Sequence, residues 1–407
     1  MPDCRAGVEA VGDSPTLEQC WQPTCRVAAK QRGNPHWHFT TVRRSNHDFR
    51  PHYQVHATLS CVARDAELRL AAPKDGFQLP RFALMCSSRD PTRSILAVSI
   101  IIVNWNTHAL LRDCLRSVID QTKAPHEIIV IDNASSDGSA AMVAAEFPHV
   151  VLIANAENGG FAAANNQGMQ VALGENLLLL NPDTIILDGA IDKMLGWLAQ
   201  HPDVGCVGCQ VLEGPGVIQR TCFADLGTAN HLIVELGLMR LARWFSVLGR
   251  PWYADWDRKS EREVDVVSGM FMLVPRAVIE KVGVLDEAFF IYAEEADWCR
   301  RIRKAGWRCV FTPVAQIVHL DGGSKSTAQI RSKMYIQMQK SHLIYAHKHG
   351  GRPAYAAAKA IFVGSALLRG ALFGALDLVR PDASSRARVR LSSASLAFHL
   401  AGKEPQT

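Results

Sequence analysis

A chain of 407 residues, with 48% apolar and 20% charged side chains, has the composition of a globular protein and length enough for two or three domains. The net charge of +5 hides an asymmetry: residues 96–321 carry 18 basic against 27 acidic side chains, and residues 322–407 carry 13 against 3. No recognisable nucleic-acid module holds those basic residues, so nucleic acid is not an expected partner; an acidic catalytic body with a basic C-terminal part that prefers an anionic surface is.

The 11 cysteines have no regular disulfide spacing, and Cys114, Cys206, Cys299 and Cys309 sit inside apolar stretches. That usage predicts a reducing, cytoplasmic compartment. Cys206 and Cys209 have the spacing of half a zinc site, but no second pair follows, and strand packing is the reading preferred. The amino terminus has no apolar signal core. No run of 18 uncharged apolar residues occurs, which argues against a simple membrane span.

Residues 1–94 mix Cys, His, Arg and Pro without periodicity. They read as a disordered extension, or as an over-long start whose true beginning lies near Met85. Order begins at Ile95. Ala97–Asn106 is a β-branched run and predicts a buried first strand. A helix follows, with Leu110, Leu111, Cys114, Leu115, Val118 and Ile119 on one face. Glu127–Asp132 predicts a second strand ending in a carboxylate. A turn and a short helix starting near Ser139 lead to a third strand, Val150–Ala154. Glu157–Phe161 opens an Ala/Asn-rich helix, and the four leucines 177–180 form a fourth strand. Strands alternating with helices through short links predict a parallel sheet, α/β in class.

Pro182 cannot donate to a ladder, so the fourth strand ends there and leaves Asp183 at its carboxyl edge, where ligands bind in open α/β sheets. A hard oxygen ligand at that place suits Mg²⁺ or Mn²⁺; a turn capping the next helix is the plainer alternative. A helix over 189–200 and a strand over 204–212 come next. Residues 213–263 look irregular and suit a substrate-facing loop. Strand character returns over 264–275. Glu294, Glu295 and Asp297 then open a helix that runs to Ala305. The helix dipole favours carboxylates there, and their mutual repulsion can raise one pKa to suit a general base. A solvated helix start paired to Arg300 and Arg301 would look the same. After the strand 307–311, His319 precedes Gly322-Gly323-Ser324, where backbone freedom permits close approach to phosphate; a structural histidine is the alternative. Beyond it, a polar helix over 326–348, a break at Gly350–Pro353 and an apolar helix over 355–379 are predicted.

Taken in order, Val98–Asn106, Val130–Ser139, Glu157–Gly168, Leu180–Thr184, Ser268–Arg276, Asp286–Arg301 and His319–Ser324 resemble the family 2 glycosyltransferases, most closely the rhamnosyltransferase-like branch. The likeness spans about residues 97–350. It implies a GT-A fold, a mostly parallel central sheet flanked by helices with a C-terminal helical extension. With the composition of the flanking stretches, the chain divides into the extension 1–94, a transferase domain 95–324, C-terminal helices 325–380 whose basic and apolar residues suit association with a membrane surface, and a tail 381–407. The likeness also implies inverting, metal-dependent transfer of a sugar from a nucleotide-diphosphate donor, with dTDP-rhamnose preferred, to a glycan or lipid-linked acceptor in cell-envelope polysaccharide synthesis. The setting implied is cytoplasmic, peripheral on the inner face of the membrane.

By the same resemblance, Asn104 and Trp105 lie near the nucleoside and Asp132 bonds the base. Asn158, Gly159, Gly160, Phe161 and Asn165 line the donor. Asn181 contacts the ribose, and Asp183 with His319 holds a divalent metal, Mg²⁺ or Mn²⁺. The catalytic group is Glu295, with Glu294 and Asp297 beside it; relatives usually carry Glu-Asp where this chain has Glu294-Glu295. Two other readings remain at this point: a nucleotidyltransferase of related fold, and a catalytically silent nucleotide-sugar or glycan-binding protein.

Overall fold

The computed structural model describes residues 25–30, 36–42, 60–62, 96–214, 216–320 and 331–402, and separates into two units, Met1–Pro80 and Arg81–Thr407. In the first unit, β1 (Cys25–Lys30), β2 (His36–Val42) and β3 (Ser60–Val62) pair as an antiparallel sheet. This corrects the expectation of disorder across 1–94. The run His-Trp-His-Phe-Thr-Thr-Val is aromatic and β-branched, which favours a strand even without clean alternation. A start near Met85 falls outside the described residues.

In the second unit, β4 (Val98–Asn104), β5 (His126–Asp132), β6 (Val151–Ala154) and β7 (Asn176–Leu180) pair in parallel, with β4 between β5 and β7. Helices α1 (His108–Gln121), α2 (Ser139–Glu146) and α3 (Phe161–Val171) make the connections. After the short β8 (Thr184–Ile186) and α4 (Ala190–Ala199), β9 (Val204–Gly214) extends the sheet. Residues 213–263, expected to be irregular, hold several elements: β10 (Val217–Ile218), β11 (Cys222–Phe223), α5 (Thr228–Glu235), two 3₁₀ turns and β12 (Arg262–Glu263). Each is too short to leave a periodic signature. β13 (Val266–Val267) pairs with β11, and β14 (Phe271–Pro275) inserts antiparallel between β7 and β9.

α6 (Arg276–Val282) and α7 (Glu294–Lys304) lead to β15 (Arg308–His319), which is parallel to β9. It is longer than the expected 307–311 because its ladder shifts register between Thr312 and Gln316, past Pro313, and then resumes. The main sheet runs β12-β15-β9-β14-β7-β4-β5-β6, mostly parallel, and this is the GT-A arrangement that the resemblance implies.

Strand alternation divides the core. Ile101, Ile129, Leu177, Leu179 and Met272 pack with α3 and α7 on one face, whereas Ile100, Ile102, Leu178, Leu180 and Leu273 pack with α1 and α4 on the other. Cys206, Cys299 and Cys309 converge in the first of these layers with sulfurs within 4.8 Å of one another, and Cys209 packs in the second.

α8 (Arg331–Val379) breaks its helical geometry at Gly351 (φ 67°, ψ −163°), at the predicted interruption. Residues 381–407, expected as a tail, instead supply α9 (Ala383–Ala401). Asp382 caps it by accepting from the Ser385 N–H, and it folds back on α8, where His399 stacks on Phe362 and Ser395 donates to Gln339. By length and composition alone, Lys333–Val379 is long and apolar enough to cross a membrane, and 17% of its most apolar window is buried. Lys359, Arg369 and Asp377, which argued against a span in the sequence, interrupt that helix without making it polar.

Candidate active site

The carboxyl ends of β4, β5 and β7 and the amino end of α7 face one cavity of about 660 Å³. Its first wall is Trp105, after β4, and Asn133, after β5. Asn104 and Asp132 do not line it. Both are buried, and the Asn104 amide donates to Asp132 Oδ1 (2.7 Å) and to Ser135 Oγ (3.0 Å). They brace the rim from behind through these bonds. Paired Asn and Asp at the ends of adjacent strands satisfy each other before any ligand arrives.

Asn133 does work that its sequence position did not signal. Its amide donates to Asn158 Oδ1 (2.9 Å) and to the Gly160 carbonyl (3.2 Å) and so shapes the loop 158–161. Asn158, Gly160 and Phe161 line the cavity; Gly159 and Asn165 do not. Asn165 is buried and donates back one turn to the Phe161 carbonyl (2.9 Å), so its amide serves α3 rather than a donor. Gly160 has φ +91°, and a Cβ there would lie 2.4 Å from the Phe290 carbonyl oxygen. Only glycine fits this approach.

After β7, Asn181, Pro182 and Asp183 form the cavity floor. Pairing of β8 with β15 sets His319 opposite Thr184 and so beside Asp183: His319 Nε2 lies 3.1 Å from Asp183 Oδ2, and the Leu320 N–H donates to the Asp183 carbonyl. The angles do not make a hydrogen bond of that contact. Asp183 Oδ1 and both His319 ring nitrogens are buried without a hydrogen-bond partner among the described residues. Buried polar groups are seldom left so, and a carboxylate beside an imidazole is a donor set that fits a divalent cation. The Gly322-Gly323-Ser324 stretch lies outside the described residues.

The opposite wall is the start of α7. Tyr292 (φ 72°) and Ala293 (φ 68°) both adopt the left-handed backbone region just before Glu294 and Glu295. Two consecutive non-glycine residues there are uncommon, and such strain gathers at functional sites. Both glutamates line the cavity, and Oε2 of each is buried without a partner among the described residues. Burial raises the Glu295 carboxyl to about 7. Burial, together with the neighbouring Glu295, pushes Glu294 well above the ordinary carboxylate range. One acid is thus poised near neutrality beside another held well above the ordinary carboxylate range, an arrangement suited to proton transfer.

Asp297 is not part of this wall. It is fully buried, and its carboxylate accepts from Arg301 (2.8 Å) and contacts Lys348 and His349 (2.8 Å each). Two residues beyond Glu295, the helix turn brings it to Lys348 and His349 of α8.

The sequence reading also passed over Gln219, whose buried Oε1 has no partner among the described residues, and Lys333 and Lys340 of α8, which line the cavity. The two lysines are seven residues apart and share one helix face. Their signal in the sequence was a charged helix, which does not reveal what it covers.

Residues 99–222 match the family described as Glycosyl transferase family 2. Over that stretch the chain is similar to family 2 glycosyltransferases. The chain is 25% identical over 273 residues to the N-acetylglucosaminyl-diphospho-decaprenol L-rhamnosyltransferase of Mycobacterium tuberculosis, covering 62% of this chain and 85% of that one. It is 27% identical over 253 residues to the O-antigen biosynthesis protein RfbC of Myxococcus xanthus, covering 61% of this chain and 19% of that protein. Among solved structures it is similar to the mannosyltransferase PcManGT from Pyrobaculum calidifontis in complex with GDP-Man and Mn²⁺, with a TM-score of 0.42, 19% identity, and coverage of 77% of this chain and 89% of that one.

Proposed function

We propose that residues 95–324 transfer a sugar, L-rhamnose from dTDP-rhamnose by preference, with inversion, to a glycan or lipid-linked acceptor of the cell envelope. The observation that carries this reading is one cavity with a buried Asp183–His319 pair on its floor and the paired acids Glu294 and Glu295 on its wall. The choice of rhamnose and of a lipid-linked acceptor leans on the name of the mycobacterial relative.

In this reading Trp105, Asn158, Phe161 and Asn181 hold the nucleotide part of the donor. Glu295 accepts the proton of an acceptor hydroxyl, whose oxygen bonds to the anomeric carbon from the face opposite the leaving group. The bond from that carbon to the diphosphate breaks, and the nucleoside diphosphate leaves. A divalent ion, Mg²⁺ or Mn²⁺, held by Asp183 and His319, would supply Lewis-acid stabilisation of the leaving diphosphate. Lys333 and Lys340, which also line the cavity, would add positive charge to it.

A setting at the inner face of the cytoplasmic membrane belongs to the same reading. Leu367, Leu368, Leu372, Leu376, Leu378 and Val379 of α8 are exposed, and so are Trp244, Phe245 and Val247 among Arg240, Arg243 and Arg250. Trp and Arg around an apolar face suit a bilayer interface with anionic headgroups.

The test is a screen of nucleotide sugars with purified protein and Mn²⁺ or Mg²⁺, scored by release of nucleoside diphosphate. Release confined to one or two donors, and abolished in Asp183→Asn, is expected. Tight nucleotide binding with no release from any donor would favour a silent binding protein instead.

A further inference from the structure

A second cavity, of about 340 Å³, meets the first at Ser268, Met270, Tyr292 and Glu295. Apart from Glu295 at the shared mouth, its wall is largely apolar for a specific reason: its other buried ionisable groups are neutral or paired. Burial drives the His231 imidazole down to about 2 and that of His342 to about 4, so both rings stay uncharged. Asp225 is taken by Arg300, Arg303 and Tyr345, and Glu235 by Ser365 and Arg369. What remains facing the space is Val234, Trp252, Met338 and Phe362, with the exposed Arg220 at its rim.

We infer that this second cavity holds the aliphatic chain next to the phosphate of an amphiphilic acceptor, with Arg220 meeting the phosphate. The inference rests on the transferase reading, since it takes Glu295 as the point where the acceptor hydroxyl must arrive. Three features point to such an occupant. The cavity shares Glu295 with the first one, whereas Asp183 and His319 line the first alone, so an occupant reaches the acid without lying on the residues of the Asp183–His319 floor. A lone cation at the rim of an apolar space is complementary to an anionic head on a hydrocarbon chain. The walls are continuous with an exposed apolar surface: α5 supplies Val234, and Arg369 of α8 binds Glu235 at the end of α5, directly before the exposed Leu236. An aliphatic chain can therefore run from that surface to Glu295 over apolar side chains.

The experiment titrates the full chain with monomeric dodecyl phosphate, butyl phosphate and inorganic phosphate, with nucleoside diphosphate binding measured in parallel. Each buried methylene strengthens association about fourfold, so dodecyl phosphate should bind at least about tenfold more tightly than butyl phosphate even when only part of the chain enters. Val234→Glu and Met338→Glu place charge in the cavity at exposed positions that do not threaten folding, and each should erase that difference. Leu372→Glu, on the outer face of α8, should keep it. Arg220→Gln should weaken all three phosphates by a similar factor. Nucleoside diphosphate binding should be unchanged in every variant. No chain-length dependence in the unaltered protein, or a dependence that survives in both cavity variants and disappears in Leu372→Glu, would overturn the inference. Failure of the underlying transferase reading would show separately, as absent nucleotide binding in the unaltered protein.

Discussion

The backbone N–H of Phe161 donates to the carbonyl of Phe290 across 2.6 Å, tying the loop that follows β6 to the loop that leads into the acids of α7. The same carbonyl lies where a Cβ on Gly160 would fall. The two walls of the cavity are therefore one mechanical unit, held at a glycine.

Replacing that glycine tests the unit. Gly160→Ala combines a backbone contact at 2.4 Å with a left-handed φ of +91°, so something must shift. A destabilisation of roughly 1–3 kcal/mol is expected, as for other strained positions. A displacement of the acids by about 1 Å would cost on the order of 100-fold in turnover. Gly159→Ala is the control: a Cβ there meets only Ala163, at 3.8 Å. Thermal melting and kcat/KM of the two variants check this, and equal behaviour would show that the walls move independently.

Glu295 predicts a pH profile. A base with a carboxyl near 7 must be ionised to act, so kcat/KM should rise with pH and level off above about 7. Stability should move the other way. The folded-state value lies above the ordinary 4.5, so the carboxyl's contribution to folding is full below 4.5 and is lost as pH rises through about 7. In Glu295→Gln donor binding should persist, transfer should fall by at least about 100-fold, and the part of the stability loss between pH 4.5 and 7 due to this group should vanish. Turnover curves and melting curves over that range, compared with the unaltered protein, decide it. Glu294→Gln should be milder on transfer, and the reverse order would make Glu294 the base.

How much of this could be read from the chain follows the physical range of each signal. The four leucines before Asn181-Pro182-Asp183 announced a buried strand and a carboxylate at its end, because burial on both faces and a proline stop are local. The ordered motifs announced Trp105, Asn158, Phe161, Asp183, Glu295 and His319, all of which line one cavity. Direction was not legible: Phe271–Pro275 reads the same whether it runs with or against its neighbours, and here it runs against them. Nor was the purpose of a polar side chain. Asn104, Asp132 and Asn165 spend their hydrogen bonds on the scaffold, and Asn133 and Gln219 only become interesting once distant elements meet. Lys333 and Lys340 read as surface charge until α8 is seen to cover the cavity.

Asp297 separates spacing from role. Fully buried against Arg301, Lys348 and His349, it fastens α7 to α8. Asp297→Asn removes the buried anion that Arg301 and His349 share, while Lys348 keeps its second partner, Asp286 (2.6 Å). Breaking a buried pair from one side costs about 3–5 kcal/mol, and the partial exposure of Arg301 and Lys348 lowers this to roughly 2–3 kcal/mol. The variant should unfold at lower temperature or denaturant, while the folded fraction retains kcat. A collapse of kcat with unchanged stability would return Asp297 to the catalytic group.

The exposed side of α8 makes the last prediction. Phe362 and Ala366 are buried, Phe362 against His399 and His231, and Arg369 and Ser365 are engaged by Glu235. The charged side chains of this stretch are thus drawn toward neighbouring elements, and Leu367, Leu368, Leu372, Leu378 and Val379 are left outward. Exposed Arg380, Arg386, Arg388 and Arg390 follow at once. This inverts the usual pattern of a surface helix and fits one that lies in a headgroup layer, where each basic residue adds about 1 kcal/mol near an anionic surface. Truncating the chain at Gly351 would delete Ala358 and Phe362, uncover Leu343 and Ala346, and confound the result, so substitutions on the intact chain are the better instrument. The triple change Leu368→Glu, Leu372→Glu and Val379→Glu should lower co-sedimentation with phosphatidylglycerol vesicles by at least about tenfold and leave nucleotide binding intact. Raising salt should weaken the binding of the unaltered protein in parallel. Binding that ignores both lipid charge and salt would exclude an electrostatic interface. A concentration-dependent dimer abolished by the same triple change would instead assign this face to a second copy of the chain.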